Sequence, residues 1–288
     1  MVALVTPFAQ GTVDVKGLQR LVEFHVRAGT TALVPCGTTG ESATLSLEEH
    51  EQVIEVILEA ARGRIPVIAG TGSNNTQEAV RLTRHASKAG TDAALVITPY
   101  YNKPTQEGIY RHFQAVAEAA RLPIVVYNIA SRTGVNIEPE TFARLAKLSN
   151  IVGVKESSGS LEQMSRIKNL CGERFTLISG DDALTLPVLA IGGTGVISVV
   201  ANVVPNPVAR MVKAFERKNL QEARRIHYDL LPLVRAMFIE TNPIPVKTAM
   251  GLMGLLRDPS LRLPMCPMTD GNLAKLKEVL RSAGLLER

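Results

Sequence analysis

Ile124-Val125-Val126-Tyr127-Asn128, then a helical pattern over 139–148, then Ile151-Val152-Gly153-Val154-Lys155-Glu156-Ser157: this stretch reads as one β-α-β unit and decides how the rest of the chain is taken. Both apolar runs are continuous rather than alternating, the pattern of strands covered on both faces in a parallel sheet connected by helices. Lys155 stands near the end of the second run, where a strand would bury it. Taking an ammonium out of water disfavours its charged form and leaves an amine able to attack a carbonyl, which opens Schiff-base chemistry. A lysine that ends an edge strand and reaches water, or one buried against a carboxylate, fits the same segment.

Outward from this unit the alternation repeats. Strand-like runs occur at 2–6, 32–36, 67–71, 93–98, 124–128, 151–156, 175–179 and 195–199. Helical periodicity follows them at 15–28, 47–61, 76–89, 105–120, 139–148, 161–170, 183–191 and 207–217, with 183–191 the weakest. Eight such units imply an α/β fold of the closed (β/α)8 TIM-barrel type. An open doubly wound sheet is the competing architecture, but Gly70-Thr71-Gly72-Ser73-Asn74-Asn75 lacks the third glycine of its dinucleotide fingerprint. Beyond residue 218 the pattern is helix only, at 220–240, 245–255 and 270–282. The expected organisation is a catalytic barrel over 1–218 and a small C-terminal helical domain over 219–288.

At 288 residues, 45% hydrophobic and 20% charged, the chain can fold around its own core. Its net charge of +5 is spread without a basic run, and with no tryptophan and 4% aromatics there is little to stack on bases, so nucleic acid is not an expected partner. Cys36, Cys171 and Cys266 are too few and too widely spaced for a disulfide framework or a zinc site. His25, His50, His85, His112 and His227 all fall in helical segments, away from any metal-ligand spacing. The N-terminus lacks a basic leader, and no segment approaches membrane-spanning length. The expectation is a soluble cytoplasmic protein that needs neither metal nor cofactor.

In a barrel of this class the active site forms where strands end and the βα loops begin. The polar residues there are Gly37-Thr38-Thr39-Gly40-Glu41-Ser42, Tyr100-Tyr101-Asn102, Tyr127-Asn128, Lys155-Glu156-Ser157 and Ser179-Gly180-Asp181-Asp182. The strand period of two lets Tyr127 and Lys155 face the same way on neighbouring strands, with Glu156 turned away. Gly153, one layer below the lysine, reads as room for a small substrate or for the lysine stem. The Thr38-Thr39 loop offers backbone N–H groups and hydroxyls suited to a carboxylate, although a capped turn would look the same. Tyr127 and Tyr101 could be ordinary packing aromatics, the commoner fate of a strand tyrosine, but their position at strand ends favours proton transfer.

These segments, with Ser131-Arg132-Thr133-Gly134 and Asn242-Pro243-Ile244-Pro245-Val246-Lys247, resemble the dihydrodipicolinate synthase (4-hydroxy-tetrahydrodipicolinate synthase) family of class I Schiff-base aldolases essentially end to end. The N-acetylneuraminate lyases and keto-deoxy-sugar-acid aldolases share the lysine and tyrosine, but the paired threonines and Ser131-Arg132-Thr133 side with the synthases. The resemblance implies that Lys155 forms an imine with pyruvate and that Tyr127 moves protons in a relay with Thr38 and with Tyr101 from a neighbouring subunit. Thr39, Gly180 and Ile197 would hold pyruvate, and Arg132 would clamp the carboxylate of L-aspartate 4-semialdehyde. The product would be the first committed intermediate of lysine and diaminopimelate synthesis, made by a homotetramer built as a dimer of dimers. It further implies feedback by L-lysine at Ser42, Ala43, His50, Asn74, Glu78 and Tyr100. Ile129-Ala130 departs from the pattern, since the family places a proline before Ser-Arg. A sugar-acid aldolase and a catalytically silent keto-acid sensor are the alternatives.

Overall fold

The computed structural model describes residues 1–287, which form two compact units: 1–66 with 198–287, and 67–197. The first unit begins with β1 (Val2–Ala3), a hairpin of β2 (Phe8–Ala9) and β3 (Thr12–Val13), α1 (Val15–Arg27), β4 (Leu33–Val34) and α2 (Leu47–Ala61). β1 pairs in parallel with β4, and Val2 bridges Ser198 on the returning chain. The hairpin turns on Gln10 and Gly11, both at positive φ (52° and 79°), as a two-residue hairpin loop of the favoured hand requires. α2 opens with a capping box between Ser46 and Glu49 and buries Val53, Ile54 and Ile57.

The second unit is a six-stranded sheet, parallel throughout. Its elements run β5 (Ile68–Gly70), α3 (Thr76–Ala89), β6 (Ala93–Ile97), α4 (Gln106–Ala119), β7 (Ile124–Asn128), α5 (Ala130–Thr133), α6 (Pro139–Leu145), β8 (Ile151–Glu156), α7 (Leu161–Cys171), β9 (Thr176–Ser179), α8 (Thr185–Ala190) and β10 (Gly195–Val196). Spatial order follows chain order from β5 to β10. Buried side chains run almost without break through β6 and β7, as the continuous apolar runs require. Between β7 and β8 the register is interrupted: Ile124 faces Ile151 but Val125 faces Gly153, so Val152 is an extra residue and is exposed.

The chain then returns to the first unit with α9 (Pro205–Glu216), α10 (Leu220–Ala236), α11 (Ile244–Leu252) and α12 (Asp270–Ser282). Buried Asn202 stitches this return to the start: its amide donates to the Ala3 carbonyl at 2.8 Å, and its oxygen accepts from Val5 N–H at 3.3 Å.

Each of the eight expected strand runs holds a strand, several of them shorter than the apolar run. The weak helix at 183–191 is a 3₁₀ turn (Asp182–Leu184) followed by α8, which tolerates Pro187 only because it lies in the first turn. The β2–β3 hairpin and the single turn α5 carry no periodicity and were not expected. Gly153 has a different cause from the one expected. A Cβ there would lie 2.4 Å from the Thr176 carbonyl oxygen, so the glycine admits the backbone of β9 rather than a substrate.

His25 and His112 are buried and each shares a hydrogen bond with a threonine hydroxyl. His25 shares a hydrogen bond with Thr30 Oγ1 at 3.0 Å, and burial holds its pKa down to about 3; His112 does the same with Thr76 Oγ1 at 2.9 Å, at about 4. A base whose folded pKa lies below its unfolded one takes up a proton on unfolding. The associated stability is full above about pH 6.5 and is lost as the pH falls towards the folded value. Urea unfolding between pH 7 and pH 5 should therefore show stability falling by up to roughly 1.4 kcal/mol per pH unit for each histidine. His112→Gln should remove its share of that slope; an unchanged slope would mean the imidazole is not held neutral.

Candidate active site

Lys155 and Tyr127 are directly opposite one another on β8 and β7, both buried, with the lysine Nζ 4.1 Å from the tyrosine ring centroid. A cation at this distance is attracted to the ring face, which steadies the ammonium without a carboxylate. Glu156 is not that carboxylate. It faces the other way, as alternation requires, where it accepts from Asn128 Nδ2 at 3.0 Å and from Ser158 N–H at 2.7 Å. Burial pushes its carboxyl above the usual range, against the hydrogen bonds from Ser158, Asn128 and Gln163.

The lysine stem has its own clearance. A Cβ on Gly180, just past β9, would lie 3.1 Å from Lys155 Cγ and Cε and 1.8 Å from Ser157 Oγ. Only glycine fits, and the position thus belongs to the lysine's setting. The Ser157 hydroxyl that crowds it is buried and has no hydrogen-bond partner among the described residues, a polar group that strand periodicity gave no reason to single out. The ladder carries on past the strand end, with Ile197 N–H donating to the Ser179 carbonyl at 3.0 Å. Lys155, Tyr127, Gly180 and Ile197 therefore gather where β7 to β10 end.

Arg132 is exposed on α5, the turn after β7. Ala130 is the first residue of that turn, a position where proline's missing N–H is not needed and its φ is preset. Alanine keeps the turn, with Gly134 N–H donating to its carbonyl at 3.0 Å and Gly134 at φ 74° ending it. Thr133 joins this turn to the loop after β6 by accepting from Tyr101 N–H at 3.3 Å. Tyr101 is at φ 70° with 86% of its surface exposed, so its ring projects away from its own unit. Near the start of α3, Asn74 accepts at its carbonyl from Asn102 Nδ2 at 3.0 Å, and half-buried Glu78 accepts from Ser73 Oγ at 3.1 Å. Tyr100, next to Tyr101 in sequence, is half-buried.

Thr38, Thr39, Ser42, Ala43 and His50 belong to the other unit. Thr39 and His50 are buried, Thr38 and Ser42 half-buried, and Ala43 exposed. Gly40 closes the loop because a Cβ there would lie 3.1 Å from the Leu4 carbonyl and the Cys36 nitrogen. Thr39 Oγ1 accepts from Asn242 Nδ2 at 3.0 Å, and buried Glu41 accepts from Lys247 Nζ at 2.6 Å. Both partners lie in the motif 242–247, whose sequence signalled importance without saying for what. No group of three or more His, Cys, Asp or Glu among the described residues could hold a metal ion, and no helix there is long and apolar enough to cross a membrane.

The sequence profile described as the Dihydrodipicolinate synthetase family matches residues 1–283. The chain is 57% identical over 286 residues to the 4-hydroxy-tetrahydrodipicolinate synthase of Syntrophus aciditrophicus (strain SB), covering 99% of this chain and 98% of the relative. Among solved structures, the dihydrodipicolinate synthase of Aquifex aeolicus superposes with a TM-score of 0.98 at 51% identity, over 100% of this chain and 98% of that one. That of Cyanidioschyzon merolae, solved with lysine bound, does so at 0.95 and 44%, over 99% and 97%. A match of this length and identity makes the chain a member of the dihydrodipicolinate synthetase family.

Proposed function

We propose that the chain is a lyase that condenses pyruvate with L-aspartate 4-semialdehyde to 4-hydroxy-tetrahydrodipicolinate, the first committed step of lysine and diaminopimelate synthesis. The observation that carries this reading is Lys155 held against Tyr127 across a parallel strand pair, in a chain 57% identical over nearly its whole length to a protein of that name. The Lys155 amine adds to the pyruvate ketone, and loss of water leaves an imine that acidifies the methyl group. Removal of a methyl proton gives the enamine, whose carbon attacks the aldehyde. The second substrate's own amine then adds to the imine carbon, closes the ring and expels the Lys155 amine.

Tyr127 serves as the proton carrier, with Thr38 and a Tyr101 supplied by a second copy. The exposed ring and positive φ of Tyr101 support its reaching outward, and hence a homo-oligomer, taken as a tetramer of two dimers. Thr39, Gly180 and the backbone at Ile197 hold pyruvate. Arg132, exposed on a turn that Ala130 preserves, receives the semialdehyde carboxylate on its planar fork. The architecture that serves this chemistry is a closed (β/α)8 barrel over 1–218 with a helical domain over 219–288, supported by the eight parallel strands along the chain. The free thiols of Cys36, Cys171 and Cys266 support a reducing, cytoplasmic setting.

For regulation we take Ser42, Ala43, His50, Asn74, Glu78 and Tyr100 as an L-lysine site. The carboxylate of Glu78 suits an ammonium group, and the hydrogen-bonding side chains of Asn74 and Tyr100 suit a carboxylate. Tyr100 adjoins the Tyr101 relay in sequence.

Borohydride reduction in the presence of pyruvate, with peptide mapping, should place the adduct on Lys155; an adduct on any other lysine would sink the mechanism. Tyr127→Phe should lower kcat by about 10²-fold or more with the fold intact, the usual loss for a positioned general acid–base, and full turnover would remove Tyr127 from the relay. Millimolar L-lysine should inhibit the wild type but not Glu78→Ala. Equal inhibition of both, or none of either, would discard the regulatory site.

A further inference from the structure

The motif Asn242-Pro243-Ile244-Pro245-Val246-Lys247 has no role in the chemistry above, yet it carries buried polar groups that converge on one loop. Lys247 is wholly buried. Its ammonium donates to Glu41 Oε1 and to the Ser260 carbonyl, both at 2.6 Å, and lies 4.3 Å from the centroid of the Phe8 ring. The second Glu41 oxygen accepts from Arg262 N–H at 3.1 Å. These contacts hold Glu41 at φ 54°, a left-handed conformation that a non-glycine residue keeps only when its surroundings over-determine it. Thr6 Oγ1 adds a bond of 2.7 Å to the Gly40 carbonyl. The backbone that carries Thr39 is thus fixed on its C-terminal side.

Asn242 acts on the side chain of the same loop. Its amide donates to Thr39 Oγ1 at 3.0 Å, and both residues are buried. A hydroxyl has one proton and two lone pairs. With Asn242 donating into a lone pair, the Thr39 proton is turned away from Asn242 and is available to an anion. An aspartate of the same shape would do the opposite, accepting that proton and adding negative charge.

We infer that Asn242 is a positioning residue: it holds the Thr39 hydroxyl as a donor to the carboxylate of the incoming keto acid, on a loop whose backbone the Lys247–Glu41 pair keeps in place. The inference rests on the reading of Thr39 as a pyruvate-binding residue.

The test measures borohydride trapping on Lys155 against pyruvate concentration, without the second substrate, alongside steady-state kinetics. Asn242→Asp should raise the half-saturating pyruvate concentration about tenfold or more, the scale of one hydrogen bond to a charged group. The KM for the semialdehyde should stay within about twofold, since the altered bond does not reach that substrate. In a Thr39→Val background Asn242→Ala, which brings no charge, should add nothing further, because the two residues then act as one unit. A comparable rise for both substrates, or a full effect in the Thr39→Val background, would reduce Asn242 to a structural role and overturn the inference. Should Asn242→Asp fail to fold by circular dichroism, Asn242→Ala should raise half-saturation about threefold, the scale of one weakened hydrogen bond; no change in it would be equally decisive. Absence of any Lys155 adduct in the unaltered protein would remove both this inference and the proposed function. A normal adduct with no Asn242 effect removes the inference alone.

Discussion

The proposed chemistry of this chain depends on one register. Side chains alternate across a strand, so a slip of one residue between β7 and β8 would turn Lys155 to the face now held by Glu156. The pairing that places Lys155 opposite Tyr127 is obtained only because Val152 is bulged out near the base of β8. Continued from Ile124 and Ile151 without that extra residue, the ladder would set Val154 against Tyr127. The bulge and the close approach of Thr176 to Gly153 lie side by side, and together they make this the most constrained stretch of the sheet. The pairing of Lys155 with Tyr127 is a product of backbone geometry two residues beneath it.

The same logic separates the polar groups in the two units. Lys155 is buried beside an aromatic face and a glycine, with no carboxylate among its described contacts. Lys247 is buried against Glu41 and a carbonyl; burial pushes its pKa down and Glu41 pushes back. A buried pair of that kind adds little net stability but fixes one arrangement, because losing either partner strands the other charge. One lysine thus lies against a ring, and the other is tied to a carboxylate and a carbonyl.

Much of this was legible in the sequence because it follows from hydrophobic burial alone. The eight apolar runs mark the strands, and the alternation within β7 and β8 puts Tyr127, Lys155 and Glu156 on the correct faces. The strand ends were read too long, since apolar character continues past the last ladder hydrogen bond. Gly153 was read as space for a ligand because a sequence shows a missing side chain and not the Thr176 backbone that requires it to be missing. Ala130 looked like a break in the pattern, yet at the first position of α5 the backbone needs only a residue that tolerates helix, which alanine does. The β2–β3 hairpin escaped notice because strands of two residues have no period, and its signal is confined to Gln10-Gly11. Asn242 and Lys247 announced themselves as a motif, but their partners Thr39 and Glu41 lie some two hundred residues away, a separation no local pattern spans.

That separation sets the order in which the chain can be completed. Arg262 donates to both oxygens of Glu49, to the Thr44 carbonyl and to the Gly11 carbonyl, while Asn202 reaches back to Ala3 and Val5. A chain emerging from the ribosome holds the whole of 67–197, with its parallel ladder between sequence neighbours, before Asn202 or Arg262 exists. Domains form as units as synthesis proceeds, and contacts distant in sequence form last. The half that bears Lys155 is thus assembled from contiguous chain, while the half that bears Thr39 must wait with its loop unclasped until the final quarter of the protein has been made.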